Sequence, residues 1–495
     1  MLGVLALSLT GAGCAVGPDF KPPAAPATQG YTRGELPGGT EAEASDGVAS
    51  DRTGGVASDW PGGETQRFRV AQDLPGPWWT LFGSATLARL IDEALAKYPD
   101  IASQQAALRA ARENVRAAQG GLFPQIQGAV NGTREQVSGG SVGPGFPGFL
   151  ANVYQANVAV SYPLDVFGVE RRAVEGAQAQ ALAQKFRLEA SYLALTAGVA
   201  STAIQLASVR EQIAATREII ALEEKQLGII ERQFELGSHT RADVLQQQAN
   251  LASVRATLPP LQQQSAMAEH QLAVLTGQFP HEAARVELDL AALTLPRDLP
   301  VSLPSALVAQ RPDIRQQEMM MRQASAAIGV ATANMLPQLT LTGAYGGESL
   351  KFASLVTPGS NAWNVVAGVT QPLFAGGTLR AKRRAAIDSY DQASAQYRLI
   401  VIEAFQNVAD TLTALDNDAH ALKFQHDAVN VTTASLDLIQ KQYHDGAQNY
   451  VSLLAAQQAY QQARLADVRA VASRYTDTVA LFQALGGGWW NRSDQ

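Results

Sequence analysis

The chain contains almost no cysteine, little charge and no basic tract. Its single cysteine, Cys14, excludes disulfides and thiolate metal clusters within one chain. The six histidines are scattered, and none pair at a metal-ligand spacing. Charged residues make up only 17% of the chain and the net charge is −7, so the electrostatic footprint of a nucleic-acid binder is missing. This composition predicts neither a metal nor another cofactor, and no nucleic-acid partner.

Long apolar runs are missing too, and we expect no helix that spans a bilayer. The nearest candidate, residues 192 to 209, carries Ser, Thr and Gln throughout and is typical of a long amphipathic helix. A membrane crossing would therefore need a closed β-barrel, since a barrel satisfies every backbone polar group in lipid.

The N-terminal region has the character of an export signal. Residues 1–13 are apolar and end in small residues, which predicts a signal peptide. Cys14 follows directly and is predicted to be lipidated, carrying diacylglycerol and an N-acyl chain. Residues 14–77 are rich in Pro, Gly, Ala and Ser, and residues 47–51 recur as 55–59. This composition predicts a lipid-anchored tether or a strap along the folded body.

The rest of the chain is an internal duplication. Pro99-Asp100-Ile101 recurs 213 residues later as Pro312-Asp313-Ile314. Further on the offset becomes 209, with Gln233, Phe234 and Gly237 matching Gln442, Tyr443 and Gly446. We place the first repeat at 78–290, the second at 300–488 and a C-terminal tail at 489–495.

Each repeat is predicted to hold a long helix (168–235 and 377–445) and a return helix (240–276 and 448–484). Apolar residues recur every seven positions along the first long helix and again 209 residues later, a coiled-coil pattern. These residues are Tyr192, Val199, Leu206, Ile213, Ile220, Leu227 and Phe234, then Val401, Val408, Leu415, Leu422, Val429, Leu436 and Tyr443.

Two other features of the helices lead to predictions about their packing and continuity. A second seam on the first long helix is more polar, and we expect it to be loosely packed or solvated; it consists of Leu195, Thr202, Val209, Thr216, Glu223 and Ile230. Pro259-Pro260 should bend or break the first return helix.

Before each long helix the sequence alternates with period two, predicting β-hairpins at about 124–167 and 337–374. The residues expected to face lipid are Tyr154, Val158, Val160, Tyr162, Trp363, Val365 and Val369. A soluble sheet with one buried face would show the same alternation. In a membrane, however, four strands cannot close a barrel. Two, three or four chains would supply 8, 12 or 16 strands, and composition does not choose among these numbers.

Several motifs resemble the outer-membrane efflux protein family of the TolC and OprM type, in particular its lipoprotein branch. They run from the start to the end of the chain: Cys14–Phe20, Trp78–Phe82, Arg311–Ile314, Pro372–Gly377 and Ala484–Trp489. One departure is Ser161-Tyr162-Pro163, where the lipoprotein branch usually has Trp-Glu before Leu-Asp.

The resemblance implies a membrane α+β fold. A homotrimer would form a 12-stranded β-barrel continuous with a long 12-helix coiled-coil α-barrel, with four strands from each chain. It would lie in the outer membrane, extend into the periplasm, and give a passive exit for small molecules. The implied partners are outer-membrane lipid, a periplasmic adaptor (membrane fusion) protein and an inner-membrane pump of the RND type. No enzymatic activity is implied, and drugs, metal ions and metabolites all remain open as cargo.

The resemblance also suggests roles for the helix turns. The turns at Gly237 and Gly446 would meet the adaptor. Asp243, Val451, Ser452 and Ala455 would line the periplasmic aperture, although Ser452 and Ala455 stand where relatives carry ring aspartates. An ordinary coiled-coil turn would explain the same residues. A periplasmic coiled-coil adaptor or scaffold lipoprotein is the alternative function; a lipid-anchored hydrolase is a further one, and no hydrolase motif supports it.

Overall fold

A computed structural model describes residues 15–28, 30–34, 38–40, 60–138, 143 and 147–492. The predicted signal peptide and lipidation at Cys14 lie outside these residues and stay predictions, and the recurring residues 47–59 also lie outside them. The chain divides into two compact units. The first comprises Met1–Pro23, Ala106–Lys185 and Gln316–Arg398; the second comprises Ala24–Gln105, Phe186–Arg315 and Leu399–Gln495.

The described helices and strands follow the two-repeat order. The helices are α1 (Ala85–Lys97), α2 (Pro99–Gly120), α3 (Val169–Glu235), α4 (Arg241–Leu275), α5 (Pro304–Gln310), α6 (Pro312–Ala333), α7 (Thr378–His444) and α8 (Tyr450–Ala484). The strands are β1 (Arg67–Val70), β2 (Gln125–Val137), β3 (Phe149–Leu164), β4 (Asp298–Val301), β5 (Gln338–Ser349) and β6 (Asn361–Thr370).

The first unit contains an antiparallel sheet in the order β2-β3-β5-β6. Directly paired residues project to the same face of a sheet. Val158 pairs with Tyr345, which pairs with Trp363. The register therefore gathers the apolar positions of all four strands on one face. That face includes all seven residues predicted to meet lipid, together with Ile126, Val130, Leu339 and Leu341.

The opposite face of this sheet is mostly polar. Asn157, on β3, alternates with the apolar residues, and Thr340 and Thr342 do the same on β5. Within the described residues, β2 and β6 each pair on one side only, so the sheet is open at both edges.

Residues 15–19, within the predicted tether, are docked onto the first unit. The buried guanidinium of Arg172 donates to Asp19 at 2.8 Å and to the carbonyl of Val16 at 3.3 Å. A Cβ on Gly17 would lie 2.5 Å from the Cα of Gly329, so only glycine allows this close approach. This part of the predicted tether is a strap rather than a free linker.

The second unit corrects the expectation of a loose polar seam on α3. All six residues of that seam are buried. The hydroxyls of Thr202 and Thr216 each donate to the carbonyl four residues earlier, at 2.7 Å. Satisfied in this way, threonine packs at little more cost than a small apolar residue. The seam is tightly packed, and the expectation of solvation is wrong.

Pro259 and Pro260 do not interrupt α4, contrary to the expected break. Leu251 and Val254 are buried before the prolines, and Leu261 after them packs on Val209 and Ile213 of α3. Because packing holds the helix on both sides, it tolerates the missing N–H groups.

The hydropathy of α3 is higher than expected. A window of α3 with mean hydropathy 1.4 meets the length and composition criteria for a membrane span, although none was expected. Within the chain, 67% of this window is buried, as in the core helix of a soluble protein. The helix is apolar because other helices cover it.

The last part of the predicted tether also belongs to a folded body. β1 pairs in parallel with β4, which follows it by more than 200 residues. Arg474 of α8 is fully buried beneath this segment and donates to the Glu64 carbonyl and to the Gln66 side chain, both at 3.1 Å. Composition did not predict this small sheet.

Candidate functional site at the helix turns

The first turn joins α3 to α4 and is built by a glycine. Gly237 has a φ of +80°, and the N–H of Ser238 donates to the carbonyl of Gln233 at 2.9 Å. A left-handed residue with this bond is a common way to end a helix. The glycine thus stops α3 and reverses the chain within a few residues.

Thr240 then begins α4 with a capping box. Its hydroxyl accepts from the N–H of Asp243 at 3.3 Å, while its own N–H donates to the Asp243 carboxylate at 2.8 Å. That backbone hydrogen bond, with the Thr240 hydroxyl and nearby His239, lowers the pKa of Asp243. Asp243 is therefore a structural cap and a fixed negative charge at this turn.

The second turn also has a glycine and a helix cap, but it lacks the capping carboxylate of the first. Gly446 has a φ of +75°, and the N–H of Ala447 donates to Gln442 at 2.8 Å. Asn449 caps α8 by accepting from the N–H of Ser452 at 2.9 Å. Where the first turn has the carboxylate of Asp243, the second has only the hydroxyl of Ser452.

The two helical hairpins pack against each other beside these turns. Ile230, Val244 and Tyr450 form a buried cluster, with Tyr443 packed against it. The phenol of Tyr443 lies 3.2 Å from Nε2 of His239, whose Nδ1 lies 3.4 Å from Asp243. Burial and the nearby Asp243 charge raise the pKa of Tyr443. The turns are thus linked by a chain of polar contacts.

A buried polar layer lies farther along the hairpins, centred on Glu223. This carboxylate, 2% exposed, accepts from the side-chain amides of Gln247 at 2.6 Å and Asn250 at 2.8 Å. Tyr450 donates its hydroxyl to Gln247, so the layer joins α3, α4 and α8. Burial raises the pKa of Glu223, although the two amide hydrogen bonds oppose the shift.

The predicted aperture residues occupy different surroundings. Val451 is 70% exposed, and Ala455 is exposed one turn farther along the same face of α8. Ser452 is half-buried in its cap. Only Asp243 takes part in the contacts that link the two turns. The Glu223 layer was missed; its signal was an acidic residue at a seam position of a coiled coil.

The described part of the chain shows no cluster of three or more His, Cys, Asp or Glu suited to hold a metal ion. The residues of the two turns cap the helices that follow them and form contacts between the two helical hairpins.

A family model of the outer membrane efflux protein matches residues 90–278 and 303–487. The chain is 29% identical to the pyoverdine export outer membrane protein OpmQ of Pseudomonas putida, over 85% of this chain and 90% of OpmQ. It is also 29% identical to the toluene efflux pump outer membrane protein TtgF of Pseudomonas putida, over 99% of this chain and 97% of TtgF.

Solved channel structures share the fold. The outer-membrane channel OprN superposes with a TM-score of 0.82 at 25% identity, covering 96% of this chain and all of OprN. The CmeC channel of Campylobacter jejuni gives a TM-score of 0.85 at 21% identity, covering 97% of this chain and 96% of CmeC. This chain therefore belongs to the outer membrane efflux protein family, and it is an efflux channel component of the outer membrane.

Proposed function

We propose that three copies of this chain form the exit duct of a tripartite efflux system. The open four-stranded sheet with one apolar face carries this proposal. An unpaired strand edge is untenable in hydrocarbon, so each copy needs neighbours on both sides. Three chains would supply the 12 strands of the barrel that the family resemblance implies, with Trp363 and Val365 facing lipid.

An exposed stripe on α7 supports assembly in the helical region as well. Phe424, Val431 and Leu438 are all exposed and recur every seven residues. An apolar seam at this spacing needs a partner helix. A neighbouring copy would cover it, giving a 12-helix α-barrel in the trimer.

The duct would be a passive exit for small molecules. An inner-membrane pump, of the RND type by family resemblance, would supply the energy, and a periplasmic adaptor would dock at the turns around Gly237 and Gly446. Cys14 would anchor the chain in the outer membrane through its acyl groups. No step in this mechanism makes or breaks a covalent bond.

Asp243, Val451, Ser452 and Ala455 would line the aperture that closes the duct. Because Glu223 of α3 bonds directly to Gln247 of α4, we expect these two helices to move together when the aperture opens. The polar contacts of His239 with Tyr443 and of Gln247 with Tyr450 would then break or shift as one hairpin moves against the other.

The apolar face supplies a sharp test, because Val365 and Val366 are adjacent, both exposed, and on opposite faces. Val365→Lys should destabilise the membrane-inserted barrel by about 2–4 kcal/mol, whereas Val366→Lys on the lumen side should insert normally. The measurement is the amount of heat-modifiable oligomer in outer-membrane fractions. Equal recovery of the two variants would contradict the membrane assignment.

Assembly can be tested by cross-linking the sheet edges. Cysteine at Ile126 or Val130 of β2, combined with cysteine at Val365 or Val369 of β6, should give covalent species up to a trimer. A control pair at Val158 and Tyr345, which are partners within one sheet, should link only within the chain. A largest species of two or four chains would exclude the trimer.

The exported compound is a separate question, since the relatives described above are named for the export of different compounds, pyoverdine and toluene. Deletion of the gene should raise susceptibility to one class in a panel of solvents, antibiotics, metal ions and dyes, or abolish secretion of a siderophore. Complementation with wild type should restore the phenotype and Val365→Lys should not. An unchanged phenotype in every arm would contradict an export role under those conditions.

A further inference from the structure

A cavity of about 240 Å³ lies in the second unit, away from the helix turns. It is lined by α1, by the end of α4 and by the loop that follows α4. Its floor is apolar and buried, formed by Leu90, Leu272 and Ala273. Such a floor with polar groups at the mouth is the usual form of a small-molecule site.

The walls of this cavity are held in place by specific contacts. Gly277 has a φ of +69°, and a Cβ there would lie 2.5 Å from the carbonyl oxygen of Lys97. This close approach fixes the loop against the end of α1. The next residue, Gln278, donates to Glu93 of α1 at 2.6 Å, and Arg210 donates to the carbonyl of Val286 at the far end of the loop.

Both carboxylates in the lining are already neutralised. Glu93 pairs with Lys97 at 2.6 Å, and Glu269 pairs with Arg210 at 2.7 Å. Neither is left to attract a cation. The negative charges of Glu93 and Glu269 are therefore offset by the positive charges of Lys97 and Arg210.

Two arginines in the same lining have no such partner. Arg89 of α1 and Arg285 of the loop are exposed, and neither makes a hydrogen bond or ion pair with any residue that the structure describes. His270, also exposed at the cavity, adds a ring that can donate. A guanidinium presents a planar fork of N–H donors that matches a carboxylate or phosphate.

We propose that this cavity binds a small organic oxyanion. Its carboxylate or phosphate would accept from Arg89 and Arg285 at the mouth, and a short apolar part would rest on Leu272 and Ala273. The site lies at the opposite end of α4 from the aperture residue Asp243. If the cavity fails to bind an oxyanion, the proposed export function would not be contradicted.

Butyrate and butyl phosphate are suitable probes, with butan-1-ol as the uncharged control; all three are short, which limits their partition into detergent micelles. Titration calorimetry on the full-length protein in a non-ionic detergent should show saturable binding of at least one oxyanion. Butanol should bind at least about tenfold more weakly, because it lacks the charge-assisted hydrogen bonds. Binding of only one oxyanion would support the site and identify its chemistry.

Arg89→Gln and Arg285→Gln should each weaken binding by about tenfold or more, again from the loss of charge-assisted hydrogen bonds. Arg217→Gln is the matched control, because Arg217 of α3 is also exposed and without a partner among the described residues, but lies outside the cavity. Melting of each unliganded variant checks that folding is intact. Absence of saturable binding, equal binding of butanol, or unchanged affinity in both Arg89→Gln and Arg285→Gln would overturn the proposal.

Discussion

The two long helices follow one sequence plan, yet they are buried differently. On α3 the seam that runs from Leu195 to Ile230 is buried throughout, while most positions of the matching seam on α7 are only half-buried. Beside that seam, α7 exposes an apolar stripe from Phe424 to Leu438. Within one chain, α3 is already surrounded by packed neighbours and α7 is not.

This difference shows how a duplicated plan can serve two kinds of contact. Polar side chains of the α3 seam are buried within the chain, where Glu223 accepts hydrogen bonds from Gln247 and Asn250. At the matching position α7 has Thr432, whose hydroxyl donates to carbonyls of its own helix and to no other group among the described residues. The first repeat thus carries specific polar packing within the chain, while the second leaves apolar surface for the neighbouring copy that we propose.

The largest effect is expected at Arg474, which has no counterpart in the first repeat because Ser265 takes its place. Arg474→Ala would leave the Glu64 carbonyl, the Gln66 amide and nearby Asp418 without their buried cation. We expect a loss of about 3–5 kcal/mol. Ser265→Ala should cost well under about 1 kcal/mol. Thermal inactivation half-lives measure both, and similar losses would remove this difference between the repeats.

Asp418 should give a pH dependence that the first repeat lacks, because Val209 occupies the matching position. Burial and a hydrogen bond with Asp477 raise the pKa of Asp418 to about 7, against the opposing charge of Arg474. A carboxyl whose pKa is raised on folding stabilises the protein fully below its unfolded pKa of about 4, and this stability is lost as the pH rises through about 7. The loss should be on the order of 2 kcal/mol, reduced by solvent at this half-buried site.

The melting temperature of the wild type should therefore fall between about pH 5 and about pH 8, and Asp418→Asn should flatten that fall. Asp437→Asn, at an exposed position of the same helix, should not change it. A wild-type slope that survives in Asp418→Asn would assign the titration to another group.

Glu223 gives a smaller effect. Glu223→Ala would leave two buried amides without an acceptor, at a cost of about 1–3 kcal/mol. Thr432→Ala, at the matching position of α7, should cost about 0.5 kcal/mol or less. Because burial raises the pKa of Glu223, Glu223→Gln should stabilise the hairpins above that pKa, provided that the amides re-pair. Thermal melting at neutral pH tests all three, and equal losses for the two alanine variants would contradict the comparison.

The smallest effect on stability concerns the two turns and is best measured as conductance. Asp243→Ala should cost about 1 kcal/mol of cap stability and leave the closed channel leakier, whereas Ser452→Ala at the matching position should do less. Val451→Ala should also raise leakage by widening the proposed aperture. Thr240→Ala weakens the same cap but keeps the carboxylate, so it separates capping from gating. Unchanged single-channel conductance in both Asp243→Ala and Val451→Ala would contradict the aperture assignments.

Periodicity predicted much of this architecture. Alternation with period two located the strands and their apolar face, because the side chains of a strand alternate strictly. The long helices predicted to carry the repeat of seven end within one residue of the observed bounds. Motif resemblance added the family, which the comparisons confirm.

The remaining features depend on partners that lie far away in the sequence. Glu223 in a seam looked like a solvated position, because its acceptor role depends on amides 24 and 27 residues away across a turn. β1 is only four residues long, and its partner follows more than 200 residues later. Arg474 gave no local sign that a strap would cover it. Local sequence patterns predict helices and strands, but they do not predict which distant residues form hydrogen bonds with a single buried polar side chain.

The unclosed sheet has a consequence for the folding and assembly of this protein. A newly exported chain holds two unpaired strand edges and a largely apolar sheet face before any neighbour arrives, and this combination favours aggregation. Under the proposed assembly, defective copies would also enter mixed rings with normal ones. A variant that folds but cannot complete the ring should therefore harm cells that also express the wild type, more than a deletion of its gene would.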